Sequence, residues 1–143
     1  MLNLFLENLS AFKKRYDQAL DPVAQRCGLT RMELDLLLFL HNNPSRNTAA
    51  EAVRLRRWTK SHVSAAARAL QDRGLLSAGH PPGNRKLIRL TPLPAADGIL
   101  RQGLEAQARF FAVLSRGVTP KERQTMEQLL EKIARNLRDY EET

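Results

Sequence analysis

Three Thr-x-x-Glu tetrads constrain the fold of this chain more than any other feature of its sequence. They begin at Thr30, Thr48 and Thr119, and each opens a segment whose apolar residues recur at helical spacing. In such a capping box the threonine hydroxyl accepts a hydrogen bond from a free backbone N–H of the first turn. The glutamate reaches back to the backbone N–H of the threonine. The tetrads therefore predict where three helices begin.

A further helix is predicted from the N-terminus to Gly28. Its apolar residues alternate between steps of three and four and form one stripe: Leu2, Phe5, Leu9, Phe12, Tyr16, Ala19 and Val23. Asp21-Pro22 suits the cap and first position of a new helix, so we expect a kink or a restart there. Gly28 suits the left-handed conformation that commonly ends a helix.

Three shorter helices are predicted between residues 30 and 74. The one after Thr30 is apolar nearly all round, so we expect it at the centre of the fold. The helix after Thr48 runs to about Arg57. Thr59 can cap the third helix, which continues to Arg73.

A small hairpin and two long helices are predicted in the rest of the chain. The strand-like segments 75–78 and 87–90 flank a turn at 79–84 that is rich in Gly and Pro. Apolar periodicity then predicts one helix over about 93–117 and a last helix that begins at Thr119. The predicted class is mainly α, and the hairpin follows the fourth helix.

The net charge of +8 is concentrated in the middle third of the chain. Residues 41–90 carry ten cations and two acids, and the whole chain has 23 Lys and Arg against 15 Asp and Glu, which leaves 13 of each sign in the flanks. A polyanion is the partner expected for such a patch. The alternative is that these residues only solvate one face.

The segment from Thr59 to Arg73 has the composition of a helix that enters the major groove of DNA. Its inner face consists of Val63, Ala66, Ala67 and Leu70. Its outer face can reach phosphates or base edges and consists of Lys60, Ser61, Ser64, Ala65 and Arg68, with Thr59 and His62 near the start. The positive N-terminal end of the helix also favours a phosphate. An ordinary solvated helix is the alternative, and the basic hairpin that follows argues against it.

Two stretches of this region resemble the MarR family of bacterial regulators. Residues 58–64, Trp-Thr-Lys-Ser-His-Val-Ser, are similar to the start of that family's recognition helix. Residues 70–76, Leu-Gln-Asp-Arg-Gly-Leu-Leu, are similar to its end and to the start of the first wing strand. Gly-Leu-Thr at 28–30 and Leu-Thr-Pro at 90–92 also look like the family's start of helix two and end of the wing.

The resemblance implies an obligate homodimer that binds a near-palindromic operator in double-stranded DNA. The fold class it implies is mainly α: a winged helix-turn-helix with a two-stranded wing and flanking N- and C-terminal dimerisation helices. We expect a single domain over 1–143, with a DNA-binding lobe at 30–91 and a helical dimerisation lobe at 1–28 and 93–143.

The candidate DNA-binding residues are the outer face of the recognition helix, nearby arginines and two cations of the wing. They are Thr59, Lys60, Ser61, His62, Ser64, Ala65, Arg68, Arg85, Lys86, Arg46, Arg54, Arg56 and Arg57. The wing departs from the family, which commonly carries Asp-x-Arg there. Strict spacing places Pro82 and Asn84 at those positions, and Arg85 lies one residue away.

The candidate dimerisation residues form the apolar stripes of the terminal helices. They are Leu2, Phe5, Leu9, Phe12, Leu129, Ile133, Leu137 and Tyr140. A small helix-turn-helix could not cover both stripes, which favours a second copy of the chain. The alternative is that the two helices only pack on each other within one subunit.

A small-molecule effector is a further partner that the resemblance implies. Its pocket would lie between the terminal helices and the winged helix, where Val23, Leu36, Phe110 and Phe111 could line it. Core packing accounts for these four residues equally well. We expect repression by occupying a promoter, released by a small-molecule or redox signal.

Cys27 leaves two other hypotheses open. Between Arg26 and Arg31 it could act as a redox-sensing thiol, although a lone cysteine at a helix end is usually a packing residue. Cys27, Glu33 and His41 could converge on zinc, but the fifth helix has no histidine to complete a tetrahedral site. We therefore expect no metal and no cofactor.

Other classes of protein find less support in the sequence. A glycine-rich phosphate loop, a paired-histidine motif and a nucleophile elbow are all missing, so we expect no enzyme and no catalytic residue. No signal peptide is evident, and no apolar run approaches the ~20 residues of a membrane helix, so we expect a cytoplasmic protein. The remaining alternative is a helical protein-interaction module without specific DNA binding.

Overall fold

The computed structural model describes residues 1–141, and within them it confirms the predicted order of elements. The helices and strands are α1 (Leu2–Arg26), α2 (Arg31–Asn42), α3 (Ala49–Arg56), α4 (Lys60–Asp72), β1 (Leu76–Gly79), β2 (Arg89–Pro92), α5 (Asp97–Leu114) and α6 (Pro120–Glu141). A 3-10 turn, Pro94–Ala96, leads into α5. The strands β1 and β2 form a two-stranded antiparallel sheet, which is the predicted hairpin.

The chain divides into two units, Met1–Phe110 and the part that begins at Phe111. The first unit is built around α2, which contacts α1, α3, α4 and β2. The buried residues of α2 are Glu33, Leu34, Leu36, Leu37, Leu38, Phe39 and Leu40. Because neighbours cover α2 on most sides, its sequence is apolar nearly all round, as predicted for a central helix.

The capping predictions are confirmed at two of the three tetrads. Complete boxes form at Thr30 and Thr119, where the hydroxyl and the glutamate each make their hydrogen bond. At Thr48 only the hydroxyl half forms, with a distance of 3.2 Å from the backbone nitrogen of Glu51. The carboxylate of Glu51 lies 2.7 Å from the guanidinium of Arg54 instead. A full box at Thr48 was therefore a wrong prediction, because a cation one turn along the helix takes the glutamate.

The restart predicted at Asp21-Pro22 does not occur. The helix α1 runs from Leu2 to Arg26 with Pro22 inside it. Pro22 is exposed, whereas Leu20 and Val23 on either side are almost completely buried. We attribute the continuity to the packing of this apolar stripe, which holds the helix where proline removes one hydrogen bond. The end of the helix was predicted correctly, since Gly28 has φ of +66°.

Arg31 ties α1 to the first turn of α2. Its guanidinium lies 2.8 Å from the carboxylate of Asp17, 2.9 Å from Asp21 and 2.9 Å from Asp35. Burial raises the pKa of the Asp35 carboxyl, although its hydrogen bond to Arg31 and the charge of Arg31 act in the opposite direction. Burial alone would lower the pKa of Arg31, but its hydrogen bonds to three carboxylates and the charge of Asp35 raise it. Arg31 is shared by three carboxylates, so its positive charge offsets only part of the cost of burying the Asp35 carboxylate.

The wing is anchored to the segment that leads into α3. Gly79 of β1 lies opposite Arg89 of β2 in an antiparallel ladder. The second strand begins two residues later than the predicted segment 87–90. The carbonyl of Ile88 accepts a hydrogen bond from the backbone N–H of Ala49 at 3.0 Å, and this carbonyl therefore binds outside the hairpin. This bond fixes the base of the wing against the helix-turn-helix.

Gly103 lies in α5 at a position where a larger residue would clash. A Cβ atom at this position would lie 2.8 Å from Cδ2 of Leu38, which is buried in α2. We expect Gly103→Ala to lower the free energy of unfolding by about 1–2 kcal/mol in a urea titration. Overpacking costs about 1–3 kcal/mol, whereas alanine recovers only about 0.5–1 kcal/mol of helix propensity.

Gly98, also in α5, offers a matched control. A Cβ there would meet only the end of the Arg101 side chain, at 3.8 Å. We expect Gly98→Ala to raise the free energy of unfolding by about 0.5–1 kcal/mol. Equal effects of the two substitutions would show that the contact between Gly103 and Leu38 is not tight.

Candidate nucleic-acid interface

The helix α4 has one buried face and one exposed face. Its buried residues are Val63, Ala66, Ala67 and Leu70, the four predicted for the inner face. It packs on α2 and α3, and the hydroxyl of Thr59 accepts from the backbone N–H of His62 at 3.2 Å. The outward residues are all exposed, namely Thr59, Lys60, Ser61, His62, Ser64, Ala65 and Arg68. The helix thus presents hydroxyl and basic groups in one continuous row.

The turn between α3 and α4 holds its residues in an unusual conformation. Arg57 has φ of +59°, the only positive value for a residue other than glycine within 1–141. A left-handed conformation costs an L-residue roughly 1–2 kcal/mol. The next residue, Trp58, packs edge-on against Phe39 with ring centroids 6.0 Å apart. This contact anchors the turn to α2 and sets the direction in which α4 begins.

Several cations of the middle third have partners within the protein. The Arg56 guanidinium lies 4.6 Å from the centroid of the Trp58 ring, and Arg54 pairs with Glu51. Arg54 keeps a side-chain exposure of 56%, so its charge is still presented to solvent. Arg46, Arg56 and Arg57 are also exposed residues.

Arg73 has a structural role that the sequence does not predict. Its guanidinium donates to the carbonyl of Gly28 at 3.0 Å and to the carbonyl of Cys27 at 3.3 Å. It therefore joins the end of α4 to the end of α1. The sequence shows only one more cation in the basic segment, because nothing local marks a partner 45 residues away.

The tip of the wing is an ordered loop rather than an extended ribbon. The backbone N–H of Asn84 donates to the carbonyl of Pro81 at 3.0 Å, and Gly83 has φ of +76°. With Pro82 and Gly83 as its central residues, this is a type II turn. Arg85 and Lys86 follow it and are exposed, as is every residue of 82–89. The structure thus brings two wing cations to the surface in the same unit as α4.

All eight predicted dimerisation residues are exposed in the single chain. Their exposed fractions run from 36% for Ile133 to 82% for Tyr140. Phe12 lies on the first unit, where its ring meets Phe110 edge-on at 5.2 Å and yet stays 45% exposed. Leu129, Ile133 and Leu137 lie on α6 in the second unit. Each helix therefore carries an apolar face that the single chain leaves open.

The residues suggested for zinc or redox sensing are not brought together. Glu33 and His41 lie eight residues apart on α2, so about 12 Å of helix rise separates them. Glu33 is bound in the capping box of α2, and Arg31 is shared by three aspartates. Residues 1–141 contain no group of three His, Cys, Asp or Glu side chains that could hold a metal ion. Cys27 is partly exposed.

Of the four residues suggested for an effector pocket, two are buried, Phe110 is half-buried and Phe111 is exposed. Val23 and Leu36 belong to the core of the first unit. A different surface cavity of about 460 Å³ lies beside the end of α2, lined by His41, Asp97, Leu100, Arg101, Leu104, Glu105 and Ala108. Its lining includes the apolar residues Leu100, Leu104 and Ala108 and charged residues of both signs. None of the four suggested residues lines it.

Helices α2 to α4 followed by a two-stranded wing define the class of winged helix-turn-helix proteins. In this class the second helix of the turn, here α4, is the one that enters the major groove. No helix within residues 1–141 is long and apolar enough to cross a membrane.

Comparisons with known proteins show which family the helix-turn-helix part of the chain is similar to. Residues 28–87 match the model of the MarR family, which confirms the resemblance seen in the sequence. The fold of almost the whole chain agrees with solved structures of MarR-family regulators. No curated protein matches the sequence significantly.

Three solved structures illustrate the likeness. A MarR-family transcriptional regulator from Listeria monocytogenes, solved with a 26mer DNA, is 18% identical with a TM-score of 0.80, and the match covers 94% of this chain and 89% of that one. A MarR-family regulator from Silicibacter pomeroyi is 20% identical with a TM-score of 0.77, covering 90% and 86%. BpsR from Bordetella bronchiseptica is 18% identical with a TM-score of 0.67, covering 92% and 98%. At these identities the likeness establishes the fold.

Proposed function

We propose that this protein is a sequence-specific transcriptional regulator that binds double-stranded DNA as a homodimer in the cytoplasm. The observation that carries the proposal is the exposed row on α4. Seven residues with hydroxyl, imidazole, methyl or basic side chains face solvent together, on a helix whose opposite face is buried in the core. This helix is the one that winged helix-turn-helix proteins place in the major groove.

Ser61, Ser64, Ala65 and Arg68 lie where base edges would be read. Hydroxyls can contact any base, a guanidinium prefers guanine, and a methyl group suits thymine. Lys60 and the N-terminal end of α4 are placed for a phosphate. Among the four residues that face the base edges, only Arg68 can make a bidentate contact. DNA shape and phosphate contacts would therefore carry much of the specificity.

Arg57 supports a phosphate-binding role for the turn before α4. A glycine would adopt φ of +59° without strain, and yet an arginine occupies the position. Strained backbone conformations concentrate at functional sites, where the side chain is needed. We propose that Arg57, together with Arg46, Arg54 and Arg56, holds the DNA backbone beside the recognition helix.

The open apolar faces of α1 and α6 support a homodimer. A second copy of the chain would cover them and would place two recognition helices on one duplex. Dimers of this class read half-sites one helical turn of DNA, about 34–36 Å, or multiples of it apart, so the operator is expected to be near-palindromic. The Listeria monocytogenes regulator, which has the same fold, was solved with a 26mer DNA.

We propose repression by promoter occupancy, relieved by a small molecule or a redox signal. DNA binding by BpsR is regulated by 6-hydroxynicotinic acid, so a protein of this fold can respond to a small aromatic acid. The cavity beside His41 is a candidate effector site in the present chain. Cys27 is the alternative, through oxidation of its partly exposed thiol.

Fluorescence anisotropy over a salt series tests the proposal. The probes are the DNA directly upstream of the protein's own gene and a scrambled duplex of equal length. A regulator that contacts ~6–10 phosphates should lose on the order of a thousandfold or more in affinity between about 50 and 200 mM salt, while it keeps its sequence preference. If the upstream DNA shows no preference, duplexes selected from random sequence replace it. Absence of binding at low salt would favour the protein-interaction module.

Lys60→Ala separates phosphate contact from base reading. We expect affinity for operator and scrambled DNA to fall together by about three- to tenfold, and the salt slope to decrease by about one, because one phosphate contact is lost. Lys13→Ala, which removes the same charge from an exposed position on α1, is the matched control. A loss for the operator alone would instead assign Lys60 to base recognition.

A further inference from the structure

His80 joins the two arms of the wing just beyond the last paired residues. The ladder ends where Gly79 lies opposite Arg89. One residue further, Nδ1 of His80 lies 2.8 Å from the carbonyl oxygen of Leu87. A carbonyl only accepts, so Nδ1 carries the proton and donates. The bond closes the loop at a point where the strands no longer hold it.

The backbone around His80 is also restricted. The residue before a proline is confined to extended conformations, and Pro81 follows His80 directly. Pro82 and Gly83 then form the type II turn closed by Asn84 and Pro81. The backbone conformation from His80 to Asn84 is therefore restricted, and this fixes the position from which the His80 side chain extends.

The part of the loop that follows the turn carries the two cations, Arg85 and Lys86. The Asn84 side-chain oxygen accepts from the backbone N–H of Lys86 at 3.0 Å, which curls the chain at Arg85. Leu87, whose carbonyl His80 binds, comes directly after Lys86. Fixing this carbonyl fixes the backbone from which both cations extend.

We propose that His80 is a positioning residue for DNA binding, which orders the wing tip so that Arg85 and Lys86 reach the DNA backbone together. The inference rests on the proposed function. An ordered loop has less conformational entropy to lose when it binds, so its cations bind more tightly than the same cations on a mobile loop. His80 itself need not touch DNA.

Limited trypsin digestion of the free protein tests the ordering. Trypsin cleaves after Arg85 and Lys86, and mass spectrometry resolves these products from cleavage after Arg116, an exposed turn residue that serves as internal reference. We expect His80→Ala to speed cleavage in the wing by about three- to tenfold, because the substitution removes one hydrogen bond. His80→Asn should restore the slow rate, because its amide nitrogen is, like Nδ1, bonded to Cγ. His80→Gln, whose amide lies one bond further out, should not.

Fluorescence anisotropy with operator DNA tests whether the ordered wing tip strengthens DNA binding. We expect His80→Ala to weaken binding by about three- to tenfold and His80→Asn to stay within about twofold of the original protein. In a background of Arg85→Ala and Lys86→Ala, the loss caused by His80→Ala should disappear, because His80 acts through these residues.

Three results would overturn the proposal. One is unchanged cleavage and affinity in His80→Ala, and another is His80→Asn behaving like His80→Ala. The third is an undiminished loss in the double-alanine background, which would mean that the imidazole contacts DNA itself. If the original protein binds no DNA, the proposed function fails, whereas the cleavage rates still decide whether His80 orders the wing.

Discussion

Ser64→Tyr is expected to abolish operator-specific binding while the protein stays folded. Ser64 is exposed in the middle of the outward row of α4, next to Val63, which is buried in the core. A tyrosine ring there would prevent α4 from entering the groove and would leave only contacts to the outer phosphates. Specific binding generally exceeds non-specific binding by roughly 10³–10⁷. We therefore expect a loss of at least about a hundredfold for the operator and a much smaller one for scrambled DNA.

Anisotropy and thermal denaturation together check this prediction. Exposed substitutions usually change stability by no more than about 0.5 kcal/mol, so the melting temperature should stay near that of the original protein. Gln18→Tyr, which adds the same ring at an exposed position on α1, is the matched control. Unchanged operator affinity in the folded Ser64→Tyr variant would show that α4 does not lie in the major groove.

Arg31→Ala is expected to cause the largest loss of stability among the charged positions. Its side chain is only 21% exposed, and it is the cation to which Asp17, Asp21 and Asp35 all bind. Asp35 is 13% exposed and would be left as a buried carboxylate without the cation that forms its ion pair. Breaking a fully buried pair costs about 3–5 kcal/mol. Because the side chains of Asp17 and Asp21 are 42% and 51% exposed, we expect a smaller loss of about 2–4 kcal/mol in a urea titration at pH 7.

The pH dependence of the stability loss in Arg31→Ala identifies the cause of that loss. Burial raises the pKa of Asp35, so its contribution to stability is largest when the carboxyl is protonated and is lost as pH rises through the pKa of the folded state. Without Arg31 this pKa rises further, because the hydrogen bond and the charge that lower it are gone. The deficit of Arg31→Ala should therefore shrink as pH falls from 7 toward the ordinary pKa of Asp, about 4. The Arg31 guanidinium also lies 5.1 Å from the centroid of the Tyr16 ring. A deficit that is constant with pH would assign the loss to this contact instead. Arg15→Ala, an exposed arginine of α1, is the control.

The elements predicted correctly are those whose signals are local. The capping boxes at Thr30 and Thr119 and the cap at Thr59 mark helix starts within one turn. The inner face of α4 follows from spacing alone, because residues three and four apart share a face. The exposed row on the opposite side follows from the same geometry. Local chemistry thus accounts for the helix-turn-helix and for most of the candidate site.

The errors arise where distant residues decide the outcome. The dipeptide Asp21-Pro22 predicts a kink or a restart, and the restart does not occur, because burial of Leu20 and Val23 in the core favours one helix. The second strand begins at Arg89, and the neighbours of that residue, Ile88 and Leu90, bond to Ala49 and Asn47, about 40 residues earlier in the chain. Likewise, Asp17 and Asp21, two of the three partners of Arg31, lie on α1, and Arg73 binds carbonyls at the end of α1. No spacing in the sequence indicates these contacts.

Methylation protection by dimethyl sulfate tests whether α4 lies in the major groove. The reagent modifies N7 of guanine, which lies in the major groove, and N3 of adenine, which lies in the minor groove. With an operator obtained by selection, we expect two clusters of protected guanines whose centres lie one helical turn, or a multiple of it, apart. The clusters should vanish with Ser64→Tyr and persist with Gln18→Tyr. Protection confined to adenine N3, or no protection at saturating protein, would contradict a major-groove role for α4.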